Sequence, residues 1–364
     1  MRILLVTKGL DLGGIERVVV DLAVGLSARG VDVEVAVVNS RRDRLVPVLD
    51  EAGVTLHRLD GNDLIGIGAA RRLTRLVTDP RFDVVHVHGP LPTVVARLAT
   101  RGRRLGSSSH TPWSSLRIPT RIAWRASDGL DAATIAVSAA VAASLPSRAR
   151  GRAVVIPHGI DRVRIAAALD AATTRAEPHV IDHAVDAVTV VTVASHRDAK
   201  NYPNLLHGVR AAIDAGAPIR LVTIGDGPNL DTHVDLAHAL GLGDVVTFRP
   251  STDDVLAEIA AADILAVASD YEGQPIVVAE ALALGLPVVS TAVGRVPEMV
   301  NTSVGRVVAP RDPGALGAAL AELATNPDLR ADMSAAARRQ LHAWTLDDVI
   351  AAHLALYTDI AARR

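Results

Sequence analysis

The run Ser269-Asp270-Tyr271-Glu272-Gly273-Gln274-Pro275-Ile276-Val277-Val278-Ala279-Glu280 sets two glutamates eight residues apart, the first of them beside a glycine. Upstream, Asp263 to Val267 reads as a short buried strand, and Ile276 to Leu284 reads as a helix. Pro275 falls near the helix start, where its missing N–H costs nothing. Glu272 and Gly273 are therefore expected on a strand-to-helix loop, at the carboxyl end of a strand, with Glu280 one to two turns into the helix. A loop of this kind aims backbone N–H groups at an anion or a sugar hydroxyl. A carboxylate at Glu280 can accept from two vicinal hydroxyls, as on a ribose, and Glu272 can do the same for a sugar. Two glutamates at this spacing, taken alone, are more simply a loop acid and a solvated helix acid. The intervening Gly273 and Pro275, the preceding strand and the rest of the chain weigh against that plainer reading.

Outward from this run the chain alternates strands and helices. Arg2 to Thr7 is an unbroken apolar run, as a buried parallel strand should be, followed by Gly9, Gly13 and Gly14 and the periodic helix of Val18, Val19, Leu22, Ala23 and Leu26. The alternation continues to a last strand at Ala153 to Ile156, with a weaker strand near Leu105 to Ser109. His158-Gly159-Ile160-Asp161 breaks it, and the Ala-rich, polar stretch through Val185 reads as an interdomain connection, partly helical. A second alternating series starts at Ala187, and helical stretches near Pro313 to Ala324, Leu329 to Trp344 and Asp347 to Ala362 close the chain. The expectation is an α/β protein of two Rossmann-like, doubly wound domains. The first spans residues 1–170 and the second 171–345, with 346–364 a helix packing back on the first. Such domains facing one another leave a central cleft at the carboxyl ends of their strands.

Composition agrees with this and removes other classes. At 364 residues, 49% hydrophobic, 21% charged and net charge -2, the chain suits two soluble domains and not a nucleic-acid binder. It has no cysteine, which excludes disulfides and thiolate metal sites. No apolar run reaches membrane-spanning length and Met1 to Thr7 reads as a first strand, so a cytoplasmic location is expected. Gly13-Gly14 lacks the spacing of the dinucleotide fingerprint, so nicotinamide chemistry is not supported.

Other loops carry candidate chemistry. After the first strand of the second half comes Ala194-Ser195-His196-Arg197-Asp198-Ala199-Lys200-Asn201, in which Arg197 and Lys200 could neutralise a diphosphate. Gly225-Asp226-Gly227-Pro228 is a close-approach glycine turn after the next strand. His110 ends a strand of the first half and could face a reacting sugar across the cleft, although a lone histidine is more often structural. His86 and His88 share one face of a strand, an arrangement that can bind metal but here lacks an evident third ligand. Between Trp113 and Arg125, Trp113, Leu116, Ile118, Ile122 and Trp124 interleave with Arg117, Arg121 and Arg125. This segment suits either a peripheral contact with anionic lipid at the inner face of a membrane, or a helix with one buried side and solvated arginines.

With these loops assembled, the chain resembles the retaining, nucleotide-sugar-dependent glycosyltransferases of family 4, which have the GT-B fold. The resemblance runs essentially the whole length. It rests on Gly13-Gly14-Ile15-Glu16-Arg17, Asp83 to His88, Ile156 to Asp161, Lys200-Asn201, Gly225 to Pro228 and, most specifically, Glu272 with Glu280. It implies that Glu280 holds the donor ribose, and that Glu272 with the backbone of Gly273, Gln274, Pro275 and Ile276 holds the donor sugar and phosphates. It further implies that Lys200 and a nearby arginine bind the diphosphate, that His110 sits at the transferred sugar, and that Gly14 approaches the phosphate or acceptor. The loop of Gly225 and Gly227 and the turn at Arg249 belong to the same donor site, the latter contacting the base through backbone. The chain departs from the family at the Gly-Arg before the lysine, which reads Ala194-Ser195, with Arg197 the available replacement.

The implied reaction moves a hexose from a nucleoside-diphosphate sugar to a hydroxyl of a small-molecule or lipid-linked acceptor, with configuration retained. No carboxylate is placed as a glycosyl nucleophile, so front-face substitution is expected, with the leaving phosphate taking the acceptor's proton. No metal or other cofactor is expected, because Arg197 and Lys200 supply the charge on the leaving group. Two alternatives share the architecture: a nucleotide-sugar 2-epimerase-like isomerase, and a non-catalytic nucleotide-sugar binder, which Ser195 keeps open.

Overall fold

The computed structural model describes residues 1–41, 43–62, 65–102, 104–174, 187–339 and 345–363. The chain divides into two compact units, one of Met1–Gly159 with Leu346–Arg364 and one of Ile160–Thr345. The first holds a seven-stranded parallel sheet of β1 (Arg2–Thr7), β2 (Asp32–Val37), β3 (Thr55–Arg58), β4 (Val84–His88), β5 (Leu105–Ser109), β6 (Ala133–Ala136) and β7 (Ala153–Val155), in the order β3-β2-β1-β4-β5-β6-β7. The second holds six parallel strands, β8 (Val188–Val193), β9 (Ile219–Ile224), β10 (Val246–Arg249), β11 (Ile264–Val267), β12 (Val288–Thr291) and β13 (Gly305–Val308), in the order β10-β9-β8-β11-β12-β13.

The apolar runs dictate these sheets, because a strand covered on both faces needs apolar side chains at every position. Along β1, Ile3 and Leu5 enter one buried cluster and Leu4 and Val6 another, so successive residues feed the two faces in turn. In β11, Leu265 and Val267 go to one side and Ile264 and Ala266 to the other. The stretch Leu105–Ser109, poor in apolar residues, is nonetheless an interior strand between β4 and β6. The helix Leu346–Ala362 brings Ile350, Tyr357 and Ile360 into the cluster of Ile3 and Leu5.

The connection after His158 differs from the sequence expectation. Part of the expected connection is helical, as read, but Arg162–Thr174 is a 13-residue helix of the second unit itself, and that unit begins at Ile160 and not at residue 171. Its inward side chains, Ile165 and Ala168, are buried with Leu256 and Ile259. Small alanines make that face hard to see as a period. The rest of the expected connection, 175–186, and the end of the helix expected at Leu329 to Trp344 lie outside the described residues.

In each sheet the strand order reverses once, between β1 and β4 and between β8 and β11. At such a reversal, neighbouring loops diverge to opposite faces and leave a crevice at the carboxyl ends of the strands.

Candidate functional site

In the second unit the reversal places the loop after β8 beside the loop after β11, and these are the two loops richest in candidate residues. They are stitched together. The Asp270 N–H donates to the Ala199 carbonyl at 2.9 Å, and the Asn201 side-chain amide donates to Asp270 Oδ1 at 2.7 Å. Asn201 takes a left-handed conformation (φ 45°) and its own Oδ1 caps the helix Tyr202–Asp214 by accepting from the Asn204 N–H. Arg311 donates from two nitrogens to Asp270 Oδ2, at 2.7 and 3.0 Å, and holds that carboxyl below its usual range.

On this frame Lys200 Nζ reaches Glu272 Oε1 at 2.6 Å, and Ser269 Oγ donates to the same oxygen at 2.8 Å. The pair is half-buried, so the ions are partly shielded from water but open to a ligand. The Ser269 carbonyl accepts from Thr291 Oγ1, which fixes the loop from beneath. The Gly273 carbonyl accepts from the Arg295 N–H at 3.1 Å. That approach needs Gly294, whose φ is +51° and where a Cβ would stand 2.3 Å from the Gly273 oxygen. Gln274 is buried, Pro275 is the N-cap of the helix Ile276–Leu284, and Ile276 is its first residue, leaving helix-terminal N–H groups for an anion. Glu280 is half-buried in the second turn of that helix.

The glycine turn after β9 packs on the same β8 loop. A Cβ on Gly225 would stand 2.2 Å from the Ala194 oxygen, and one on Gly227 would stand 2.4 Å from the His196 oxygen. The Arg249 carbonyl accepts from the Gly225 N–H, while its guanidinium turns to Glu258 at 2.6 Å. Arg197 is exposed, and among the described residues its side chain makes no ion pair. Beneath the loop, His196 is buried, stacked on Tyr202 at 4.0 Å and hydrogen-bonded to His233 at 2.9 Å. Burial first, then His233, lowers its pKa to about 4.

The remaining candidates, His110 and Gly14, belong to the first unit. Gly14 opens the helix Gly14–Ser27, and the Glu16 carboxylate folds back over the preceding Gly13. His110 follows β5 and is not a lone histidine. Its Nε2 meets His88 Nδ1 at 3.0 Å and its Nδ1 meets His158 Nε2 at 3.4 Å, with the rings stacked at 5.2 and 5.3 Å. His86 lies 4.1 Å from His88 and spends both nitrogens on Tyr357 Oη and Ser108 Oγ, which removes it as a metal ligand. Among the described residues no group of three acidic or histidine side chains is spaced to hold a metal ion. Burial, before any neighbour, holds His86 and His88 neutral and lowers His110 to about 4.

The sequence marked Asn201 only as part of a motif and assigned no role to it, to Ser269, Asp270 or Arg311, nor to His88 and His158 as partners of His110. The signal available was positional: all but Asn201, which lies eight residues past β8, are within three residues of the carboxyl end of a strand. The segment 113–125 divides its side chains. Trp124 is buried under the Arg97 guanidinium, whose Cζ is 4.0 Å from the ring centre, while Ile118 and Ile122 are each 65% exposed beside the exposed Arg117 and Arg125.

Comparison with known proteins bears on the family and the fold. The model for Glycosyltransferase Family 4 matches residues 12–164, and that for Glycosyl transferases group 1 matches 174–340. A GDP-mannose-dependent alpha-(1-6)-phosphatidylinositol monomannoside mannosyltransferase of Mycobacterium tuberculosis is 31% identical over 80% of this chain and 80% of its own. A D-inositol 3-phosphate glycosyltransferase of Geodermatophilus obscurus is 29% identical over 97% of this chain and 87% of its own. Among solved structures, Anabaena Alr3699/HepE with UDP and glucose superposes with a TM-score of 0.84 at 17% identity, covering 99% of this chain and 100% of that one. The two reversed parallel sheets, the paired lysine and glutamate at the reversal of the second, and these matches together make the chain a member of the family 4 glycosyltransferases, with the GT-B fold.

Proposed function

We propose that this glycosyltransferase moves a hexose from a nucleoside-diphosphate sugar to a hydroxyl acceptor with retention and without a metal ion. The observation that carries the reading is the cluster of Lys200, Glu272 and Ser269 beside the N-terminus of the helix Ile276–Leu284. Glu272 accepts from sugar hydroxyls, Glu280 accepts from the ribose, and Lys200 with the helix N–H groups neutralises the departing diphosphate. Arg197, which has no carboxylate partner among the described residues, is free to add a second positive charge to the diphosphate. The leaving phosphate oxygen takes the acceptor's proton on the face it has vacated. Gly225, Gly227 and the Arg249 backbone complete the approach to phosphate and base within the second unit. The isomerase alternative would require an acid and a base at C2 of the sugar, and family membership favours transfer.

GDP-mannose is the first donor to test, on the strength of the mycobacterial relative's name. A ligand that binds only the folded state raises the melting temperature. Saturating GDP-mannose is expected to raise it by several degrees, with UDP-glucose and ADP-glucose raising it less and EDTA leaving the shift in place. Loss of the shift in EDTA would overturn the metal-free reading, and a larger shift with another nucleotide would reassign the donor.

We further propose a lipid-linked acceptor reached through a peripheral contact of 113–125 with an anionic bilayer. Residues 89–159 carry ten arginines against two aspartates, in a chain of net charge -2, and Ile118 and Ile122 project from the helix Ile118–Ala126 among them. No helix among the described residues is long and apolar enough to cross a membrane. Sedimentation with phosphatidylglycerol vesicles is expected, with little on phosphatidylcholine. The Ile118→Ser/Ile122→Ser double variant should lose at least about tenfold in vesicle affinity. Equal binding to both lipids, or none to either, removes the contact.

A further inference from the structure

The five histidines His86, His88, His110, His158 and His353 gather in one unit, and three of them form a hydrogen-bonded line: His88, His110, His158. A neutral imidazole has one N–H and one lone pair, so in such a line the first ring's tautomer dictates the rest. The first ring is His88. It is 1% exposed, its Nδ1 faces His110, and its Nε2 has no hydrogen-bond partner among the described residues. A buried N–H without a partner is rarer than a buried acceptor left over. The proton of His88 therefore belongs on Nδ1, where it is used, and the bare lone pair on Nε2. His110 Nε2 then accepts, and neutral His110 must carry its own proton on Nδ1, pointed at His158 Nε2.

We infer that His88 is a positioning residue that fixes His110 as an Nδ1–H donor, with His158 a placeholder acceptor that a ligand oxygen displaces. The inner contact is short, 3.0 Å, and the outer one is long, 3.4 Å, so His110 is held firmly by β4 and loosely by His158. Of the three, His110 alone is only partly buried, with an edge left to solvent. The groups facing it are imidazoles: His88 from β4, which burial holds neutral, His158 from the segment after β7, and His353 from the helix Leu346–Ala362, which burial lowers to about 4. With its Nε2 lone pair spent on His88, His110 offers an oxygen a hydrogen bond from Nδ1 and does not serve as a base. This rests on the proposed placement of His110 at the transferred sugar, and it adds the atom and the direction of the bond.

The test separates the two claims. In protein labelled with ¹⁵N histidine, the ring nitrogen shifts report which nitrogen carries the proton, with no substrate present. His110 is expected as the Nδ1–H tautomer in the wild type, as a mixture in His88→Leu, and as Nδ1–H again in His88→Asn, whose amide nitrogen reproduces the Nδ1 donor. An Nε2–H tautomer in the wild type, or an unchanged one in His88→Leu, overturns the inference. If His88→Leu does not fold, the wild-type and His88→Asn spectra decide it alone. Kinetically, His88→Leu should lose roughly tenfold in kcat with little change in acceptor KM, and His88→Asn should recover most of it. Tautomers as expected with unchanged kcat in every variant would leave the line in place and remove His110 from the sugar site.

Discussion

Glu272→Ala is expected to abolish transfer, by at least about a thousandfold in kcat/KM, or roughly 4 kcal/mol of lost transition-state stabilisation. The carboxylate has two duties in the proposed site: it accepts from sugar hydroxyls, and it holds Lys200, which it meets at 2.6 Å. Without it, the ammonium loses its aim at the departing phosphate and the sugar loses its anchor. The fold should survive, because Lys200 is exposed enough to recover water and Ser269 keeps its backbone bond from Thr291. A melting temperature within a few degrees of wild type, with no product from the donor that shifts the wild type, is the result sought. Lys200→Ala separates the two duties: it should weaken donor binding about tenfold in calorimetry while leaving Glu272 in place. Wild-type turnover in Glu272→Ala would sink the site assignment.

The largest loss of stability is expected not there but at Asp131. Arg97 is fully buried, and its guanidinium meets Asp131 Oδ2 at 2.7 Å while lying over the Trp124 ring. The same carboxylate oxygen accepts from Ser107 Oγ at 2.6 Å and Thr134 Oγ1 at 2.8 Å. Asp131→Ala leaves a cation in the interior without its counter-ion, which costs about 3–5 kcal/mol. Thermal unfolding should show a fall of roughly 10 °C. The Arg97→Met/Asp131→Leu double variant, which removes both charges together, should recover much of that loss, because burying an ion pair is itself expensive. A single variant as stable as wild type would mean that the guanidinium finds water, contrary to its burial.

Much of this molecule can be read from its chain, for a physical reason that also marks where reading stops. Strands buried on both faces must be continuously apolar, so Arg2–Thr7 and Ile264–Val267 announce themselves, and Pro275 marks the start of the helix carrying Glu280. Alanine hides a helix face, which is why Arg162–Thr174 reads as a connection when Ile165 and Ala168 in fact anchor it. The strand at Leu105–Ser109 is faint because its serines are buried through hydrogen bonds: Ser107 serves Asp131 and Ser108 serves His86. At the candidate site, Lys200 and Glu272 are legible as types, but their contact is not. Seventy-two residues separate them, and only the strand order that sets β8 beside β11 brings them together. The same holds for His88, His110 and His158, which sit at or just past the ends of three different strands. Polar partners of this kind leave no period in the sequence.

The second unit is nested within the first: the chain leaves the first at Gly159 and returns to it at Leu346. Vectorial synthesis gives that nesting an order. On the ribosome, Ile160–Thr345 emerges as one uninterrupted stretch and can close its core at once. The first unit, begun earlier, must wait, since Ile350, Tyr357 and Ile360 complete the packing around Ile3 and Leu5 and Tyr357 supplies the partner of His86. The nascent protein therefore carries an open N-terminal sheet, edge strands and apolar face exposed, through the whole time its second half is made. That interval, more than the stability of the finished fold, is where chaperone dependence and truncation damage should concentrate.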